Sequence, residues 1–245
     1  MFVKQAAWNG FVQARDRYRR EIARLGRRLP ELQSLQQKFV DSRSPSYAVE
    51  TPVVYNRALD DVGADSDIRL ILVADNPGRR EQAAENRRYL VGPSGKIAEK
   101  FFRDNPALRI DFRKNVIILN KTPIHTPRTA DLRQLCRLGG SALEKELDKS
   151  QRFMACLLLE FQKALGVPVW ITGYSEMKKG GLFESYTDEL KNIYNGTGLE
   201  DAVFIYRHFS MNQFTIYLNR QTAPKETLTQ TLEKIGAAYR RKFLW

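Results

Sequence analysis

Four short apolar runs, rich in β-branched residues, punctuate the chain from residue 67 onward: IRLILVA (68–74), NVIILN (115–120), VPVWIT (167–172) and AVFIYR (202–207). Runs of this kind predict strands buried on both faces of a parallel sheet. Between them the apolar spacing lengthens to three and four residues. That predicts helices over 94–102, over 141–165 with a cap at Gly166, over the less regular 176–194, and over the closing KETLTQTLEKIGAAYRRKFL. Strands alternating with helices imply right-handed βαβ crossovers and the α/β class. The expected architecture is a three-layer helix–sheet–helix sandwich with a central four-stranded, mainly parallel sheet. Upstream, residues 11–40 show helical spacing broken at Pro30, and 41–66 read as an irregular connection. A single domain spans 1–245, with 1–66 a helical and irregular extension and 67–245 the α/β core.

In open parallel sheets, ligands bind beyond the carboxyl ends of the strands. The residues there follow from the sequence: Asp75 and Asn76 after the first run, Asn120 at the end of the second, Gly173 and Tyr174 after the third, His208 after the fourth. A carboxylate, two amides, an aromatic ring and an imidazole make a plausible site. Asp and Asn also form turns cheaply, so Asp75 and Asn76 before Pro77 and Gly78 have a structural reading as well.

Charge narrows the partner. Forty Lys and Arg against 28 Asp and Glu give a net charge of +12, which favours a polyanion, with nucleic acid ahead of an anionic membrane surface. Seven arginines between Arg15 and Arg28 form either a DNA-facing strip or a solvated helix face. No apolar stretch approaches a membrane span, and MFVKQAAWNG lacks the apolar core of a signal peptide. The two cysteines, Cys136 and Cys156, suit neither a disulfide scaffold nor a metal site. A cytoplasmic monomer without cofactor is expected. A phosphate-loop reading of VGPSGK fails, because Leu90 stands where the first Gly belongs and Ile97 where Ser or Thr belongs.

Several segments, in order, resemble motifs of the uracil-DNA glycosylase superfamily. ADNPG (74–78) resembles its first motif, which reads G-x-N-P-G in some branches, and YLVGPSGK (89–96) is similar to P-F-V-G-x-A-G. VIILNKTP (116–123) resembles the strand ending in the uracil-reading Asn. GYSEMKKG (173–180) is similar to G-x-Y-A-Q-K-K-G, and RHFSMNQF (207–214) resembles the H-P-S motif with its minor-groove loop. The resemblance covers about residues 67–240. It implies hydrolysis of the N-glycosidic bond of uracil, or a related deaminated base, in DNA.

The resemblance also assigns roles. Asn76 takes the catalytic position and Asp75 supplies a carboxylate, together placing water on the sugar. Asn120 reads uracil O4 and N3–H, with Tyr89 or Leu90 packed on the base. His208 donates to O2 of the departing anion. Gly92, Ser94, Gly95, Lys96 and Ser210 grip phosphates, and Met211 with Asn212 lies in a loop entering the minor groove, Met211 as the wedge. Four departures mark a divergent branch: Leu90 replaces the stacking aromatic, Gly78 the bulky residue that excludes the thymine methyl, Phe209 the Pro after His, and the cysteines of the iron–sulfur branch are absent. Two other classes stay open: a non-catalytic DNA-binding module on the same fold, and a hydrolase of small nucleotides or nucleosides.

Overall fold

The structure is a computed structural model describing residues 5–223 and 225–245. Its sheet has four strands, β1 (Leu70–Ala74), β2 (Val116–Asn120), β3 (Val169–Thr172) and β4 (Val203–Tyr206), in the order β2-β1-β3-β4. Every pairing is parallel, with Ala74 beside Asn120 and Thr172 beside Tyr206 at the carboxyl ends. The four strands fall on the four apolar runs. Each run is buried on both faces because helices cover both.

Side-chain alternation divides the strands between two cores. Ile71, Val73, Ile117, Leu119, Val169, Ile171, Val203 and Ile205 join one apolar cluster. That cluster also holds residues of α1 (Gln5–Arg28), α5 (Asp131–Leu165) and α6 (Glu184–Tyr194). Leu70, Leu72, Ala74, Val116, Ile118, Trp170 and Tyr206 join the other, with α4 (Pro93–Asp104), α7 (Gln213–Gln221) and α8 (Leu228–Phe243). The three-layer sandwich is thus present. Of two further helices, α2 (Leu32–Asp41) packs on α5 and adds Leu32 to the first cluster, and α3 (Arg79–Gln82) is a single turn after β1.

Two elements differ in extent from their sequence signals, and a third differs in role. α5 begins ten residues before the expected 141, and Gly140, at φ +65°, interrupts it; a periodicity argument cannot see a helix continuing through a glycine kink. Only 184–194 of the segment expected at 176–194 is α-helical, because the Lys-Lys-Gly-Gly stretch before it turns. Within 1–66, Phe11, Ala14, Tyr18 and Leu25 of α1 sit in the first core, packed along α5. The N-terminal helix is therefore a structural layer. Its arginines are largely engaged internally: Arg17 with Glu160, Arg19 with Asp60 at 2.6 Å, and Arg28 with Glu21 and Glu146 at 2.6 and 2.7 Å. Among the described residues no helix is long and apolar enough to cross a membrane.

One glycine shows how tightly the loops above the sheet are built. A Cβ on Gly95 would lie 1.5 Å from the Leu90 carbonyl oxygen, so the first turn of α4 rests directly on the preceding loop. Gly95→Ala is expected to lower unfolding free energy by about 3 kcal/mol, an overpacking cost. Gly26→Ala, where an added Cβ meets nothing within 4 Å, should raise it by roughly 0.5 kcal/mol. Urea titration of the two variants against the parent measures both.

Candidate active site

The strand order reverses between β1 and β3: the chain leaves β1 toward β2 on one side, and β3 toward β4 on the other. Loops at such a switch point part and leave a crevice. Here the crevice is a cleft of about 790 Å³, walled by the loops after β1, β3 and β4, the start of α4, and residues 126–130. Asp75, Asn76, Leu90, Gly92, Ser94, His208 and Ser210 all line it. Seven residues nominated from three separate motifs therefore share one cavity.

Asp75 is held from two sides. Its Oδ1 accepts from Lys121 Nζ at 2.5 Å and its Oδ2 from Thr129 Oγ1 at 3.2 Å. Lys121 is fully buried and also donates to the Thr172 carbonyl at 2.5 Å. Burial lowers the Lys121 pKa, and Asp75 opposes that shift. The carboxylate fits only because residue 173 is glycine: a Cβ there would lie 2.5 Å from Asp75 Oδ1, and φ is +82°.

Asn76 has a defined amide orientation. Its Nδ2 donates to Thr126 Oγ1 at 2.8 Å and approaches the carbonyls of Pro77 and Ile124 at 3.3 and 3.5 Å. Three acceptors around one atom identify it as the NH2 group. Oδ1 is thereby left to accept from whatever enters the cleft. The turn beneath is fixed by His125, whose Nδ1–H donates to Pro77 O at 2.8 Å while Nε2 accepts from the Tyr47 hydroxyl at 2.9 Å. Burial pushes this imidazole down to about 4, so it is neutral.

His208 is set up for the opposite task. Ser210 N–H donates to its Nδ1 at 3.0 Å. That bond requires Nδ1 unprotonated and puts the proton of the neutral ring on Nε2. Burial lowers its pKa first, with Asp75 raising it and Lys121 lowering it. The cleft thus holds a neutral N–H donor from β4 and an oriented amide oxygen from β1.

The other nominated residues divide. Leu90 lines the cleft in a left-handed conformation, φ +52°. Tyr89 does not reach it: the ring is buried, and its hydroxyl donates to Val54 O at 2.6 Å beside Tyr18. Stacking of Tyr89 on a base is therefore corrected, because this hydroxyl seeks a buried carbonyl. Gly95 is buried under Leu90 and is a packing residue, with no surface for phosphate. Lys96 is exposed and outside the cleft wall. Met211 and Asn212 are exposed at the rim between Ser210 and Gln213, both left-handed at φ +52° and +56°, and Met211 is 83% exposed. Asn120 is buried beside Ala74, which lines the cleft, but is not itself part of the wall. Neither of its amide atoms has a hydrogen-bond partner among the described residues.

Sequence reading missed Lys121, Thr126, Glu81 and Arg207. Of these only Glu81 left a local signal, standing three residues after the helix-capping Gly78. Its carboxylate accepts from Gly78 N–H at 3.1 Å, lines the cleft, and is pushed by burial up to about 7. Among the described residues no group of three or more His, Cys, Asp or Glu is arranged to hold a metal ion. No family model matches the chain, and no curated protein matches it in sequence.

Two stability effects follow from these contacts. Lys121→Met leaves the Asp75 carboxylate without its buried counter-charge and is expected to cost about 3–5 kcal/mol in urea unfolding. Lys121→Met combined with Asp75→Leu should recover part of that loss. For His125 the folded-state value lies below the ordinary 6.5. Its contribution is therefore complete above about pH 6.5 and is lost as pH falls toward 4, roughly 3 kcal/mol in all. Unfolding midpoints measured across that window should fall accordingly, and less steeply in His125→Gln.

Proposed function

We propose that this chain is a DNA glycosylase that hydrolyses the N-glycosidic bond of uracil, or of a related deaminated base, and so opens base-excision repair. One observation carries the reading: Asn76, with its oxygen free, and His208, with its proton on Nε2, line the same cleft at the two sides of a switch point. Cleavage of this bond builds positive charge on the sugar and negative charge on the base. A site for it needs a water-directing acceptor near the sugar and a donor at the base.

Asn76 Oδ1 accepts a hydrogen bond from the attacking water and directs its lone pair at the anomeric carbon. An amide takes up no proton, so the Asp75 carboxylate, which lines the same cleft, receives the proton that the water gives up as its oxygen bonds the anomeric carbon and the bond to the base breaks. His208 Nε2–H donates to O2 of the leaving pyrimidine. Being neutral, it stabilises the anion through a hydrogen bond and does not protonate it outright. Asn120, assigned the base edge by the resemblance, stands behind the cleft wall beside Ala74; a base that reaches it relieves the desolvation cost of about 1–3 kcal/mol carried by its buried amide, which has no partner among the described residues. Leu90 packs on the base. Met211 fills the space left in the stack, its strained backbone being of the kind found at functional loops. Gly92, Ser94 and Ser210 meet phosphates at the cleft mouth. A cytoplasmic monomer acting without cofactor is part of the same reading.

A non-catalytic DNA-binding module is the second reading, favoured by Asn120 standing behind the cleft wall and by the absence of an aromatic at the base-stacking position. Single-turnover assays on uracil-containing oligonucleotides separate the two: DNA bound without abasic product selects the module. For the glycosylase, Asn76→Ala should slow cleavage by roughly 100-fold or more with DNA affinity nearly unchanged. His208→Ala should cost a similar factor. Full activity in Asn76→Ala would sink the assignment.

A further inference from the structure

Cations and carboxylates around the cleft are unequally paired. Asp75 is bonded by Lys121, Glu176 by Arg133 at 2.8 Å, and Glu81 accepts from the Gly78 amide. Arg207, immediately before His208, also lines the cleft. The one hydrogen bond that its guanidinium makes among the described residues goes to a neutral acceptor, Gln213 Oε1, at 3.3 Å. Its Nε–H is buried and has no partner among the described residues. Its planar head lies 4.6 Å from the Tyr217 ring centroid and 6.0 Å from that of Tyr174. Aromatic faces hold the cation in place without neutralising it. By contrast Arg19, Arg28 and Arg240, elsewhere in the fold, each have a carboxylate at 2.7 Å or less.

We infer that Arg207 is an anion-binding residue of the cleft and that its ligand is a phosphodiester of the DNA strand next to the nucleotide whose base enters. The inference rests on the glycosylase reading for the identity of the strand, and on the unpaired guanidinium for the contact. A cleft of about 790 Å³ is much larger than one pyrimidine, so sugar and phosphate enter with the base. A guanidinium packed against tyrosine rings, with only Nη1 bonded among the described residues, keeps donors for phosphate oxygens. Ser210, three residues on and lining the same wall, adds a hydroxyl to the same approach. None of the five motif resemblances singles out this arginine.

The test uses a single-stranded oligonucleotide carrying a tetrahydrofuran abasic analogue, which presents the flanking phosphates with no base at that one position. Binding of the full chain is followed by fluorescence anisotropy across a salt series. Arg207→Gln is expected to weaken binding about tenfold and to reduce the slope of log K against log salt by about 0.7, the loss of one phosphate contact on a single strand. Arg207→Lys keeps the charge and should keep the slope while losing several-fold in affinity. An unchanged slope and affinity in both variants overturns the inference. Should Arg207→Gln not fold, the Nε–H resonance of the wild-type protein decides, assigned by its disappearance in Arg207→Lys: it shifts when the strand is added, and a signal that stays in place refutes the contact. Uracil cleavage is scored separately. Normal cleavage with an unmoved salt slope removes Arg207 alone, whereas an Arg207-dependent slope without any cleavage removes only the glycosylase reading.

Discussion

Lys121 is the cation on which the upper edge of the sheet depends. It follows β2, its ammonium bonds the carboxylate just after β1, and it also bonds the last carbonyl of β3. Its backbone N–H donates to Ala74 O and Asp75 O, so main chain and side chain tie the same ends together. A fully buried ammonium is tolerable only with such partners, since desolvation of an unpaired charge costs more than most folds can absorb. The same bonds that satisfy it therefore fix where Asp75 stands. Gly173 completes the arrangement by leaving room for that carboxylate.

Around this anchor the cleft is preorganised by groups that take no direct part in the chemistry proposed for it. Thr126 orients the Asn76 amide, and donates its own proton to Arg128 O. His125 braces the Pro77 carbonyl from below, and Ser210 N–H selects the tautomer of His208. Each of these bonds removes a choice of orientation. A site built this way spends little free energy on rearrangement when its ligand arrives. Asn120 is the exception, a desolvated amide with no partner among the described residues. It marks the place where a ligand would change the energetics most.

Much of this was legible before any coordinates. Four apolar, β-branched runs located four strands to within about two residues, because strands covered on both faces have no reason to alternate. The strand-end residues Asp75, Asn76 and His208 could be named for the same cause: a parallel sheet delivers all its carboxyl ends to one edge. Gly166 marked the end of α5 through its left-handed φ of +65°. Where reading along the chain went astray, the deciding contact was distant in sequence. Tyr89 and Leu90 are neighbours with nearly equal burial, yet only the second faces the cleft, because the first finds Val54 O 35 residues away. Nothing in the sequence around Lys121 announces a side chain that bonds partners 46 and 51 residues off.

The amino-acid sequence by itself determined the α/β class, the strand positions and the set of polar residues available at the carboxyl edge, since these depend on local periodicity and on the direction that parallel strands share. Tertiary structure alone decided the strand order, which opens the cleft between β1 and β3 rather than at another gap. It also decided which carboxylates are neutralised, which imidazole proton faces the cavity, and which cleft arginines, Arg207 among them, have no carboxylate partner among the described residues. Charges and hydrogen bonds are settled between groups a few ångströms apart in space, and that proximity is a property of the folded chain.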